Sequence, residues 1–153
     1  MPQAAHAVQE VPAAAYPTEE SPQPKSRSTR SRGRRNRELG RRGEDAAARY
    51  LYRHGYEIVE RNWTCCAGEA DIIARDGRTV VFVEVKTRRD CDKGFPSEAV
   101  TAAKRERYEK IACVFLSNCD LDDVSVRFDV MSIVVVGTDR AFVRHTIDAF
   151  SVM

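Results

Sequence analysis

No run of apolar residues in this 153-residue chain approaches the roughly 18 that a membrane-spanning helix requires, so no membrane partner is expected. The five cysteines fall as the adjacent Cys65 and Cys66 and the separate Cys91, Cys113 and Cys119. No CxxC and no Cys/His spacing of the zinc-binding kind occurs, which argues against a thiol-built metal site and for free thiols in a reducing compartment. The N-terminus lacks an apolar secretory core, and Glu10, Glu19 and Glu20 argue against an organellar transit peptide, so the expected location is cytoplasmic. No repeat of solenoid or propeller period is present. His54 and His145 read as a helix-end and a strand residue, since neither sits in a ligand pattern, and Trp63 as a core or loop anchor.

What is there is charge, unevenly placed. Residues 1–42 hold nine Lys/Arg against four Asp/Glu, a balance of +5, and residues 43–153 hold sixteen against nineteen, a balance of −3, which together make the net +2. A basic tail thus precedes a mildly acidic domain, and such a tail suits a polyanionic partner or simply stays solvated. Residues 1–24 are rich in Ala, Pro and Glu, and 25–37 are almost all Arg and Ser with single breakers. Neither stretch offers the apolar area that ordering requires, so 1–37 is expected to be disordered and 38–153 to form one domain.

Leu39, Ala46, Ala47, Tyr50 and Leu51 recur at helical spacing and predict a first helix from about Glu38 to the stop at His54-Gly55. Strands follow from Tyr56, ending at Arg61-Asn62, then at Glu69–Arg75 and Thr79–Thr87, a second helix from Ser97 to about Leu116, and strands at about 125–136 and 140–147. The order α-β-β-β-α-β-β predicts an α/β fold with a mixed sheet flanked by helices.

Asp76-Gly77 is a strong two-residue hairpin signal. If Arg75 pairs with Arg78, opposed residues sum to 153, so that Glu69 faces Glu84 and Asp71 lies diagonal to it. Side-chain alternation then puts Glu69, Asp71, Glu84 and Lys86 on one face and Val81, Val83 and Val85 on the other. Carboxylates at this density repel unless a cation enters, and hard oxygen donors fit Mg²⁺ or Mn²⁺. A lysine two residues beyond an acid is placed to orient a water or steady charge on a phosphorane-like transition state. The bland alternative, an exposed face with a weak Glu/Lys pair, is disfavoured by a third strand otherwise too apolar for a solvated surface.

The carrying residues, Gly43-Glu44 with Ala47, Tyr50-Leu51, Gly55-Tyr56, Arg61-Asn62, Gly68-Glu69-Ala70-Asp71 and Val81 to Arg88, resemble the bacterial YraN family, and the likeness extends over about residues 39–150. That resemblance implies a restriction-endonuclease-like fold of the PD-(D/E)xK kind, similar in architecture to Holliday-junction resolvases. It implies that Asp71 and Glu84 bind the metal with the Val85 carbonyl as third ligand, that Lys86 is the catalytic lysine, and that Glu44 completes the metal shell directly or through water. Lys104 at the start of the second helix, Arg88 and Arg89 at the strand end, and Glu69, Arg127 and Asp129 form a second tier for phosphate contact or support of the centre. The expected activity is metal-dependent hydrolysis of DNA, branched or structured DNA included, with DNA favoured over RNA and a homodimer left open. The alternative is a nucleic-acid-binding accessory that keeps the nuclease fold with little cleavage.

Overall fold

The chain's architecture comes from a computed structural model, which describes residues 8–12, 29–89, 94–96 and 99–150. In chain order the elements are β1 (Val8–Pro12), α1 (Thr29–Arg53), β2 (Glu57–Cys65), β3 (Gly68–Asp76), β4 (Thr79–Arg89), α2 (Ala102–Ser117), β5 (Ser125–Val136) and β6 (Arg140–Thr146). From α1 onward this is the expected α-β-β-β-α-β-β succession. The strands form one sheet in the order β1-β6-β5-β4-β3-β2, parallel between β4 and β5 and antiparallel elsewhere, with α2 as the crossover between the parallel pair.

Each helix buries one stripe against one face of the sheet. Ala46, Ala47, Tyr50 and Leu51 of α1 pack over Ile72, Val81, Val83, Met131, Ile133 and Val143, while Tyr108, Ile111, Ala112 and Phe115 of α2 pack over Ile73, Val80, Phe82, Phe128 and Phe150. Valines of β4 alternate between these cores because successive strand side chains point to opposite faces. Trp63 anchors the α2 side, edge-on to Phe115 with ring centroids 5.2 Å apart. Thr101 caps α2, its hydroxyl accepting from the Lys104 amide at 3.2 Å, so that helix starts at Ala102 rather than at Ser97.

Three features depart from the sequence expectations. First, α1 begins at Thr29, well before Glu38: once its packed half is nucleated, further turns need no new nucleus, and arginines are good helix formers. Second, Val8–Pro12, inside the tail expected to be disordered, pairs antiparallel with β6 through its backbone, which needs no apolar face. The rest of 1–28 lies outside the described residues. Third, the β3–β4 register sums to 155, not 153: Asp76 pairs with Thr79, and Gly77 and Arg78 make the turn. Gly77 has φ +60° and Arg78 is not among the positive-φ residues, the pattern of a turn with glycine first, whereas an Asp-Gly turn would need Asp76 itself at positive φ. The two-residue shift keeps the predicted alternation of faces over the paired residues, Ile72–Asp76 with Thr79–Val83.

Helix α1 is seated by contacts near the start of its packed half. Arg42 donates to the carbonyls of Gly137 and Thr138 at 3.1 and 3.0 Å, and Asp45 pairs with Arg61 of β2 at 2.7 Å. Between them Gly43 rests on β4 so closely that a Cβ there would lie 1.8 Å from Thr87 Oγ1, which only glycine permits.

Candidate functional site

The ladder between β3 and β4 runs from the turn as far as Ile72 and Val83. One residue further, continuing the register sets Asp71 opposite Glu84, in place of the diagonal relation expected, and Glu69 no longer faces it. Here the Asp71 side chain takes over from the backbone ladder, its Oδ2 accepting from the Val85 amide at 2.8 Å. Ala70, which strict alternation would put on the face away from the acids, is buried in the α2-side cluster with its β2 partner Trp63, next to Asn62 at φ +50°.

Glu84 faces α2, and the Lys104 ammonium sits on its Oε1 at 2.9 Å while the Tyr108 hydroxyl donates to its Oε2. Lys104 and Tyr108 are four residues apart, one helical turn, so both reach the same carboxylate. Tyr108 is the contact of Glu84 that the sequence did not point to. Its signal was that spacing, hidden because a tyrosine in an apolar stripe reads as core. Lys86 shares the α2-side face with Glu84 and donates from Nζ to the Ala99 carbonyl at 3.2 Å. Beside it in register on β5 lies Ser132, fully buried, with no hydrogen-bond partner for its Oγ.

The two opposed acids titrate in opposite directions. Burial pushes the Asp71 carboxyl up to about 7; the Val85 amide opposes this, and the negative charges of Glu84, Glu44 and Glu69 add to it. Burial alone would also raise Glu84, but the hydrogen bonds from Tyr108 and Lys104 and the charges of Lys104 and Arg107 hold it below the usual carboxylate range. The tyrosine hydroxyl is pushed up in turn, by burial and by the charges of Glu84 and Asp71. Glu44, carried on α1 beside Gly43, and Glu69 are therefore within electrostatic reach of Asp71. Arg88 follows Lys86 at the end of β4, in register with Val134.

Arg127 and Asp129 are not brought to these acids. They lie on the α1 side of β5 and pair with one another at 2.9 Å, Arg127 also meeting Asp76 at 3.2 Å and the Tyr56 hydroxyl at 2.9 Å. Asp129 is fully buried and accepts from the Asp148 amide at 2.9 Å; its other oxygen lies 2.7 Å from His145 Nε2. Burial alone would raise its carboxyl, yet the bonds from His145, Arg127 and Asp148 hold it low. His145, read as a plain strand residue, is thus half of a buried charge network that ties β5 and β6 to the β3–β4 turn.

The donor chemistry of the Asp71 and Glu84 pair suits a hard divalent cation, since Mg²⁺ needs only one or two carboxylates and keeps several waters. Among the described residues no three His, Cys, Asp or Glu side chains are gathered closely enough to form a ligand shell by themselves. Glu44 would join through water or by turning its side chain. Cys65, Cys66, Cys113 and Cys119 are free thiols; Cys91 lies outside the described residues. No helix among the described residues is long and apolar enough to cross a membrane.

A mixed sheet flanked by helices, in the order α-β-β-β-α-β-β from α1 onward, is the fold class expected from the sequence. The family model for the uncharacterised protein family UPF0102 matches residues 43–133, and the chain belongs to that family, the YraN family of the sequence resemblance. Similar relatives include UPF0102 proteins of Geobacter sulfurreducens, 48% identical over 111 residues (72% of this chain and 87% of the relative), and of Nocardia farcinica, 48% over 106 residues (69% and 84%). Another, from Rhodococcus jostii, is 46% identical over 111 residues, covering 72% and 94%.

Proposed function

We propose that the protein is a cytoplasmic, divalent-metal-dependent nuclease that hydrolyses phosphodiester bonds in DNA, branched or structured DNA included. The observation that carries this reading is the placement of Asp71 opposite Glu84 where the hairpin opens, with Lys86 two residues along and Glu44 held nearby by the close seat of α1 on Thr87. Asp71 and Glu84 would hold Mg²⁺ or Mn²⁺, with the Val85 carbonyl as a third ligand and Glu44 reaching it directly or through water. An ion held there would supply Lewis acidity toward the phosphate. Tyr108 and Lys104 keep Glu84 ionised and fix its orientation, so the ligand charge is present before the ion arrives. Lys86 would orient the attacking water and steady negative charge on the oxygens of the phosphorane-like transition state, for which its ammonium must leave the Ala99 carbonyl. A homodimer would supply the second centre needed to cut both strands.

The test is a cleavage panel with Mg²⁺ or Mn²⁺ across single-stranded, duplex, flap and four-way-junction DNA. Wild type should cut at least one substrate, and Asp71→Asn, Glu84→Gln and Lys86→Ala should each lose about 100-fold or more in rate, the scale of a lost electrostatic or acid–base group. Equal cleavage by all four proteins would sink the assignment.

A second reading has its own observation. Glu84 is already satisfied by Lys104 and Tyr108, and Lys86 by a backbone carbonyl, as expected of a nucleic-acid-binding accessory that keeps the fold and cleaves little. Tight DNA binding with no cleavage of any substrate in the panel would favour it.

A further inference from the structure

Among the described residues, α1 packs on the core only from Leu39 onward. Ser31 to Glu38 are all exposed, whereas burial begins at Leu39 and is full at Gly43, Ala46 and Ala47. Residues 29–42 hold seven arginines against a single acid, Glu38, and the family match starts only at residue 43, so this charged arm precedes the region the family shares. Burial does not stabilise the exposed stretch, and Gly33 within it weakens a helix. Arg34 with Arg37, and Arg37 with Arg41, stand three and four residues apart, where like charges repel. A polyanion would relieve that repulsion, and an apolar partner would not.

The arginines are also ordered in space. Arg34, Arg37 and Arg41 follow one another at intervals of three and four residues, and Glu44 comes three later, so all four lie along one side of the helix. At about 1.5 Å rise per residue, Arg34 stands about 15 Å from Glu44 along the axis. Arg32 and Arg35 fall well off that line. A guanidinium fork takes phosphate oxygens two at a time, and a bare helix fits the B-form major groove, about 12 Å wide, while the narrow major groove of A-form RNA excludes it.

The geometry points to a docking arm for double-stranded DNA: the Arg34, Arg37 and Arg41 side of α1 follows the phosphates and leads the duplex to the Glu44 side of the Asp71 and Glu84 centre. It rests on the nucleic-acid reading of that centre, but not on its catalysis. The measurement is binding of the full-length protein to a labelled duplex of about 20 base pairs in EDTA, where no metal-dependent cleavage occurs, from about 50 to about 200 mM KCl.

Replacing Arg34 and Arg37 together with Gln should lower the slope of log affinity against log salt by about 1.8, roughly 0.9 for each phosphate that is no longer neutralised. Lysine at the same two positions should restore it. Replacing Arg32 and Arg35 with Gln removes the same charge from the same segment and should change the slope by less than half as much. Equal slopes for the two glutamine pairs would show a tail that acts by charge alone and would overturn the arm. So would binding of wild type to an RNA duplex of the same sequence as tightly as to DNA. Because no turnover is needed, an inactive cleavage panel would remove the nuclease reading and leave the arm standing, and face-independent binding would do the reverse.

Discussion

Asp71 and Glu84 face each other and meet opposite electrostatic surroundings, which is how one small site holds two carboxyls of unequal acidity. Glu84 has a cation and a hydroxyl on its two oxygens. Asp71 has one backbone amide and three acidic neighbours. Because its folded carboxyl is pushed up to about 7 by burial and its acidic neighbours, against an ordinary value near 3.8, Asp71 destabilises the fold as pH rises between these values, when the unfolded chain ionises and the folded one does not. Asp71→Asn in EDTA should therefore stabilise the protein by roughly 2–4 kcal/mol at pH 8 and leave it unchanged near pH 4; equal melting temperatures at pH 8 would refute this. Glu84 has the opposite sign. Burial opposes its ionised form but the Tyr108 and Lys104 bonds outweigh it, so its contribution exists above the unfolded value and is lost as pH falls through the lowered folded one. Tyr108→Phe removes a buried, charge-assisted hydrogen bond and should cost about 1.5–3 kcal/mol at pH 7, read by urea denaturation.

At the scale of elements, the decisive contact is α1 on β4. Gly43→Ala must push the helix off Thr87, because a new Cβ would sit 1.8 Å from Oγ1 and 2.7 Å from the Thr87 Cβ, neither of which a rotamer change relieves together. The cost should be about 1–3 kcal/mol in urea, as for overpacking elsewhere. Glu44 should move with the helix, so any cleavage should fall more than the stability loss alone explains. A variant as stable as wild type would show that the helix is free to lift from the strand. This contact was not legible in the sequence, where Gly43 is only one glycine in a helix. The hairpin was legible, because the β-branched and aromatic run Thr79–Thr87 is interrupted by charge only at Glu84 and Lys86. Its register was not, since the choice between turns depends on whether Asp76 or Gly77 leads, and Asp76 is held in the strand by Arg127. The first nine residues of α1, 29–37, were not legible for a related reason: they carry no apolar period, and their helicity is inherited from the packed turns that follow. The buried network at Asp129 was seen only as two charges on one strand face. Asp129→Ala would strand Arg127 and His145 and should destabilise the protein by about 3–5 kcal/mol, measured by thermal or urea unfolding.

Taken whole, the molecule separates its charges: the −3 balance of residues 43–153 includes Glu44, Glu69, Asp71 and Glu84, while the arginines that could draw a polyanion stand on the helix that leads to them. A cation at the centre would neutralise the acids at the place where the phosphate backbone must arrive, so metal and nucleic acid would reinforce each other. Such an ion must compete with the proton on Asp71, which sets a sign. Metal binding to the folded chain alone stabilises it by RT ln(1 + [M]/Kd), and Kd should tighten as pH rises to about 7 and then level off, since only the ionised carboxyl is a ligand. The rise in melting temperature produced by Mn²⁺ or Mg²⁺ over EDTA should accordingly grow from about pH 5.5 to about pH 7.5, and Asp71→Asn should abolish most of it at every pH, whether or not the protein cuts DNA. A metal-induced shift of the same size in wild type and Asp71→Asn would place the ion elsewhere, and with it the chemistry assigned to the hairpin.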